Sequence, residues 1–162
     1  MLFYDVPPTV KARSENTMNI SDLFQNHLLI NALFAWLAAQ ILKTIIYAVV
    51  NKSLDFQRLF GDGGMPSGHS ATVTALATTA AIDYGFASPV FAVSFILAII
   101  VMHDAMGVRL EAGKHAKAIN ELMVLFDSDI DPEQKLQEFL GHTPLQVLFG
   151  AILGFLIALL SR

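Results

Sequence analysis

Long stretches without a charged side chain dominate this sequence and restrict the folds that are open to it. Residues 23–42, 86–102 and 143–160 contain no Asp, Glu, Lys or Arg. A helix rises about 1.5 Å per residue, so about 20 residues cross the hydrocarbon layer of a bilayer, which is about 30 Å thick. Hydrophobic residues make up 54% of the chain and charged residues 15%, which is too apolar for an ordinary soluble domain. These stretches predict an all-α, integral membrane helical bundle.

The rest of the sequence predicts further helices and a division of the chain into an N-terminal segment and one domain. Residues 70–84 are rich in alanine and threonine and contain no proline, and small side chains of this kind let membrane helices pack closely. Residues 111–126 place apolar side chains at helical spacing opposite a polar face. We therefore expect about four transmembrane helices plus amphipathic helices. Residues 1–22 are predicted to form an N-terminal surface segment, and residues 23–162 a single membrane-embedded domain.

Charge and composition exclude several functional classes. The net charge is −4, and no basic stripe with interleaved aromatic residues occurs, so we expect no nucleic-acid partner. The chain has no cysteine, which excludes disulfides and thiolate metal sites. The dipeptide His103-Asp104 invites a metal site, but its ligand set is too poorly defined. The sequence therefore predicts neither a metal nor a cofactor.

A glycine-rich loop stands between two of the apolar stretches. Residues 60–70 read Phe-Gly-Asp-Gly-Gly-Met-Pro-Ser-Gly-His-Ser. Glycines permit backbone torsions that turn several amides toward one point, and Ser67 is a favourable N-cap for the helix that follows. An exposed helix start is suited to binding phosphate, and His69 in its first turn could reach the same anion. The structural alternative is a capped turn that only joins two helices.

The Pro-Ser-Gly-His string at residues 66–69 resembles the central motif of the type 2 phosphatidate phosphatase superfamily. The wider string at residues 59–71 is similar to the divergent branch of that superfamily, which consists of small membrane proteins. The resemblance implies metal-free hydrolysis of a phosphate ester through a phosphohistidine. It also implies that His69 protonates the leaving group, and that Ser67 and Gly68 bind phosphate.

The nucleophile implied by this resemblance has two candidates. The last motif of the superfamily is Ser-Arg, five residues, His, three residues, Asp. Arg109 followed by His115 fits its first half, whereas His142 fits its second half and has Gln146 at the Asp position. We interpret the motif as split by an amphipathic insertion at about residues 112–140. In this interpretation Arg109 binds phosphate and His142 is the nucleophile, with His115 as the alternative.

Two departures from the family pattern concern the supporting residues. Gln146 could accept the Nδ1–H of the nucleophilic imidazole and fix its tautomer, but it carries no charge to stabilise an imidazolium. Asp104 is therefore our candidate for an assisting carboxylate. The first motif of the family, Lys, six residues, Arg-Pro, is also incomplete. We assign phosphate binding there to Lys43 and Arg58, with Lys52 as the alternative.

These features together predict a membrane phosphatase that acts on a lipid phosphate or lipid pyrophosphate. The incomplete motifs favour an alternative, a non-catalytic membrane protein that binds or transports lipid headgroups or phosphate. We expect a bacterial-type inner membrane, and the distribution of Lys and Arg favours a site on its cytoplasmic side. The expected partners are the lipid substrate and the bilayer. Four short spans around a polar loop cluster are also compatible with a homodimer.

Overall fold

The computed structural model describes residues 19–53, 63–126, 135–136, 138 and 141–161. These residues form a short 3-10 helix, Ile20–Gln25, and five α-helices, and they contain no β-strand. The prediction of an all-α bundle is thereby confirmed. The α-helices are α1 (His27–Asn51), α2 (Gly68–Tyr84), α3 (Pro89–Met106), α4 (Val108–Phe126) and α5 (Pro144–Leu160).

Side-chain caps fix where four of these helices begin. Asn26, Ser67, Ser88 and Thr143 each accept a hydrogen bond from the backbone N–H three residues further on. These bonds satisfy amides that the first helical turn leaves without a partner. The spacing of Thr143, Pro144 and Gln146 predicts a capping box. The box is present, because the side chain of Gln146 accepts from the Thr143 backbone N–H.

Helix α2 occupies the centre of the bundle. Helices α1, α3 and α5 all pack against it, whereas α1 and α3 do not approach each other within the described residues. Between α1 and α2 the contact consists of fully buried alanines, Ala35 and Ala39 on one side and Ala71 and Ala75 on the other. Small side chains thus bring the helices close together, as expected inside a membrane.

Two glycines let α5 pack directly on the backbone of α2. A Cβ atom at Gly150 would overlap the carbonyl oxygen of Ser67, and a Cβ atom at Gly154 would overlap that of Ala71. Both glycines are buried. Since Ser67 precedes α2, this contact fixes the start of α2 against the first half of α5.

The outer surface of the bundle is apolar, as expected for helices that face lipid. Large apolar side chains such as Phe34, Val93 and Ile100 are more than half exposed. Among the described residues, α1 and the helical stretch Pro89–Phe126 are long and apolar enough to cross a membrane, and α5 is a shorter apolar helix. These properties define a membrane-type helical bundle.

Helix α4 confirms the helix predicted after residue 110 but buries an unexpected face. Its buried residues are Gly113, Ala116 and Asn120, whereas the apolar residues Ile119 and Leu122 are exposed. The apolar side of α4 therefore faces outward, as on the other helices of the bundle. The sequence also predicts a short amphipathic helix at residues 133–140, but the residues described there, 135, 136 and 138, are not helical. Most of the predicted N-terminal segment lies outside the described residues.

Candidate functional site

A cavity of about 270 Å³ lies beside the first turns of α2. Three of its lining residues come from α1, and others come from the start of α2, from α3 and from the segment that precedes α5. The lining includes Trp36, Gln40, Lys43, Gly68, His69, Thr72, Val101 and His142. The cavity thus lies between α1 and α3 beside α2, and both predicted catalytic histidines line it.

The two imidazoles both line this cavity and contact each other edge to face. The ring centroids of His69 and His142 are 5.5 Å apart, and the ring planes form an angle of 76°. His142 is 1% exposed and His69 is half-buried. These residues are separated by 73 positions in the sequence, so the tertiary structure alone brings them together.

His142 is held by the corner between α3 and α4. Its backbone N–H donates to the carbonyl oxygen of Ala105 over 2.9 Å. The preceding residue, Gly141, has a φ of +85°, and a Cβ atom there would overlap the backbone of Leu110. Glycine is required at this position because the conformation is left-handed and the backbones lie in close contact. The corner therefore fixes the backbone that carries His142.

The start of α2 is fixed by hydrogen bonds at Ser67. The Ser67 hydroxyl accepts from the backbone N–H of Ser70 over 3.3 Å and from its hydroxyl over 3.0 Å. The backbone N–H of Ser67 donates to the carbonyl oxygen of Gln146 over 3.0 Å. This bond joins the first turns of α2 and α5, which places His69 beside the segment carrying His142. The phosphate-binding role predicted for the Ser67 side chain stays a prediction; in this structure its hydroxyl is fully buried and caps α2.

Lys43 brings an ionisable group into the cavity from α1. The residue is 6% exposed and lies within a helix able to cross a membrane. Gly64, with a φ of +83°, leaves room for its stem, because a Cβ atom there would lie 3.0 Å from Lys43 Cγ. An ionisable side chain at this depth marks a functional site. The predicted proximity of Lys43 to the Pro-Ser-Gly-His motif is therefore observed, while its role in binding phosphate stays a prediction.

Other predicted site residues have different contacts. Asp104 and Arg109 form an ion pair with each other, with 2.9 Å between Oδ2 and Nε, and both are about half exposed. Gln146 uses its Oε1 to accept from the backbone N–H of Thr143 over 3.0 Å. None of these three predicted residues is among those that line the cavity. Their catalytic or binding roles stay predictions.

Two other residues predicted from the sequence, Arg58 and His115, are not among the described residues that line the cavity. Arg58, predicted to bind phosphate with Lys43, lies outside the described residues. His115, the alternative nucleophile, is exposed on α4 and does not line the cavity. The geometry therefore favours His142 over His115 as the partner of His69.

The sequence interpretation did not identify Trp36 and Gln40, which line the cavity beside Lys43. The spacing 36, 40 and 43 places all three on the same face of α1. Gln40 is 6% exposed, and its Oε1 has no hydrogen-bond partner among the described residues. A signal was present, because a polar residue inside an apolar span usually faces the bundle interior. Gln40 lies one helical turn before Lys43, which places the two side chains on the same face of α1.

The chemistry of the lining suits an anion. Two imidazoles, an ammonium and an amide face the cavity, and the start of α2 contributes backbone amides and the positive end of the helix dipole. In the part of the chain that the structure describes, no group of three or more His, Asp or Glu residues could hold a metal ion. The lining therefore suits a small anion such as a phosphoryl group.

The fold and the site together define a helical membrane protein with paired histidines beside a helix start. The sequence from residue 24 to residue 157 matches the model of the divergent PAP2 family. The chain therefore belongs to the divergent PAP2 family, which confirms the resemblance found in the sequence. It is 41% identical over 150 residues to the uncharacterized membrane protein YuiD of Bacillus subtilis (strain 168), covering 85% of this chain and 95% of that protein. No solved structure matches the chain.

Proposed function

We propose that this protein is a membrane phosphatase that hydrolyses a lipid phosphate or lipid pyrophosphate through a phosphohistidine intermediate. The observation that carries this proposal is the pair His69 and His142, with ring centroids 5.5 Å apart in a cavity that also contains Lys43. A nucleophile, a proton donor and a cation are the groups that a covalent phosphoryl transfer needs.

In the first step, a ring nitrogen of His142 attacks the phosphorus atom. A bond forms between nitrogen and phosphorus, and the bond from phosphorus to the ester oxygen breaks in line with the attack. His69 donates its proton to the departing oxygen, so the lipid leaves as a neutral alcohol, or as a phosphate when the substrate is a pyrophosphate. Lys43 and the amides at the start of α2 stabilise the charge on the phosphoryl oxygens.

In the second step, water releases the phosphate. His69, now neutral, accepts a proton from the water molecule while the water oxygen attacks the phosphorus atom. The nitrogen–phosphorus bond breaks and its electron pair returns to His142. Inorganic phosphate leaves, and both histidines regain their initial protonation states.

The position of the cavity favours a lipid substrate. Residues of α1 and α3 line the cavity, and both helices present large apolar side chains to their surroundings. A lipid could therefore keep its hydrocarbon chain in the bilayer while its phosphate reaches the histidines. The positive-inside tendency of the sequence supports a cytoplasmic orientation of this site.

The second candidate function is lipid-headgroup or phosphate binding or transport without catalysis. It is favoured by Gln146, which stands at the position of the family carboxylate and whose amide caps α5. A neutral amide stabilises an imidazolium less than a carboxylate does. Binding of lipid phosphates without turnover would favour this candidate.

The proposal is tested with the detergent-purified protein and a panel of lipid phosphates and pyrophosphates. His69→Asn should lower phosphate release by about 10²- to 10⁴-fold, the usual contribution of a general acid or base. His142→Asn should abolish phosphate release, because no phosphohistidine can then form. His115→Asn is the matched control, because it removes an exposed imidazole that does not line the cavity. Acid-labile phosphate should be trapped on His142.

The outcomes separate the candidates clearly. Full turnover by His142→Asn contradicts the proposal, and loss of turnover only in His115→Asn makes His115 the nucleophile. Vanadate, an analogue of the phosphoryl transition state, should inhibit the wild type.

A further inference from the structure

The segment that leads to His142 is anchored to α4 by Asn120. The Asn120 amide nitrogen donates to the carbonyl oxygen of Leu136 and to Oε1 of Glu138, and its Oδ1 accepts from the backbone N–H of Leu136. Each of these bonds is 2.9 Å long, and Asn120 is 5% exposed. Binding both the N–H and the C=O of the same residue fixes that backbone in position and orientation.

A second anchor lies immediately before His142. Gly141 packs against the backbone of Leu110 near the start of α4, and His142 bonds to Ala105. Leu110 and Asn120 are about 15 Å apart along the helix axis, at 1.5 Å per residue. The five residue steps from position 136 to position 141 reach about 17 Å at most. The two anchors are thus only five residue steps apart in sequence, so we expect a displacement of Leu136 to act on Gly141 and His142.

We propose that Asn120 is a positioning residue that holds His142 opposite His69. This inference rests on the phosphatase function proposed above. Asn120 does not line the cavity, so it acts through the segment that it binds rather than on the substrate.

Helix α4 lies outside the core of the bundle, so the positioning role of Asn120 can be tested without unfolding the protein. Among the described helices, α4 packs only against α3, whereas α1, α2 and α5 form the small-residue core. Removing the Asn120 hydrogen bonds therefore leaves that core unchanged. The position of His142 should respond, while the fold persists.

The test compares Asn120→Ala and Asn120→Asp with the wild type by two readouts. The first is steady-state phosphate release, in which kcat should fall by up to about 10²-fold because small misplacements of catalytic groups have effects of this size. The second is the rate at which diethyl pyrocarbonate modifies His142, measured by mass spectrometry. Modification should be about tenfold faster in Asn120→Ala, because each 1.4 kcal/mol of lost hydrogen-bond energy increases local opening by that factor.

A double variant that exchanges the amide and the carboxylate between positions 120 and 138 tests the contact between these two side chains. Asn120→Asp still accepts from the Leu136 N–H, but it loses the donor group and places a second carboxylate beside Glu138. Adding Glu138→Gln supplies a new donor, so the double variant should recover part of the lost turnover and of the protection of His142. Glu138→Gln alone keeps an acceptor for Asn120 and is the matched control. His27 is exposed at the opposite end of the bundle and is the internal reference for modification.

These readouts distinguish the failure of this inference from the failure of the proposed function. If the wild type shows no turnover but His142 becomes accessible in Asn120→Ala, the positioning role stands and the phosphatase function fails. If both turnover and His142 modification match the wild type in Asn120→Ala, the inference is overturned. Equal acceleration at His27 and His142 would also overturn it, because that result indicates global loosening.

Discussion

Replacing Gly141 by alanine tests whether the corner between α3 and α4 sets the position of the proposed nucleophile. Gly141 has a φ of +85°, and a Cβ atom there would lie 2.6 Å from the Leu110 Cα. Ordinary van der Waals contact begins at about 3.4 Å, and the Leu110 backbone N lies closer still than its Cα, so the backbones must separate by at least about 0.8 Å. The neighbouring atoms belong to the backbone and cannot rotate away.

Two independent effects determine how much Gly141→Ala lowers the free energy of unfolding. The left-handed conformation costs an L-residue about 1–2 kcal/mol, and overpacking against a rigid neighbour costs about 1–3 kcal/mol. The free energy of unfolding should therefore fall by about 2–5 kcal/mol. Because the next residue is His142, a displacement close to 1 Å should also lower kcat by about 10²-fold.

Gly85→Ala is the matched control for this variant. Gly85 has a φ of +80° but no neighbouring atom within 4 Å, and it follows the end of α2 opposite the cavity. The control should reproduce the conformational strain without the collision, so its stability falls while kcat per folded molecule stays unchanged. Stability is measured by thermal unfolding in detergent, and kcat by phosphate release.

Two outcomes of the comparison between Gly141→Ala and Gly85→Ala would contradict this reasoning. Wild-type kcat in folded Gly141→Ala protein would show that the corner does not position the reacting group. Equal losses of kcat in Gly85→Ala and Gly141→Ala would show that strain alone, rather than the collision at Leu110, affects turnover.

Two further substitutions test the polar contacts of the bundle. Thr79→Val removes the acceptor of a buried 3.0 Å hydrogen bond from the Asn31 side-chain amide. The free energy of unfolding should fall by about 1–3 kcal/mol. Unchanged thermal unfolding would show that this bond does not stabilise the bundle. Asp104→Asn breaks an exposed ion pair with Arg109 and should change that free energy by less than about 1 kcal/mol. A larger loss in denaturant titration would show that the pair holds the corner between α3 and α4.

Much of the fold followed from local properties of the sequence. The apolar stretches predicted the helices, and the capping box at Thr143 was identified from its spacing and is present. The buried contact faces were less predictable, as α4 shows. Asn120 is buried there because its amide binds the segment before His142, and such a partner in distant sequence leaves no periodic signal.

The candidate site was predicted in part. His69 stood out because its motif is contiguous, and His142 because it fits the second half of the last motif of the family. Gln146 was expected to reach the imidazole one turn away, but its amide accepts from the backbone of Thr143. A capping site three residues away competes directly for the same side chain, and sequence spacing alone does not decide between the two.

The sequence by itself determined the helical class, the membrane environment and the identity of the Pro-Ser-Gly-His turn, because each depends on neighbouring residues and on average polarity. The tertiary structure decided which histidine faces His69, and that Lys43 and Gln40 share its cavity. That choice depends on backbone contacts between distant segments, at Gly141 and at Gly150. Such contacts become favourable only after the helices have packed.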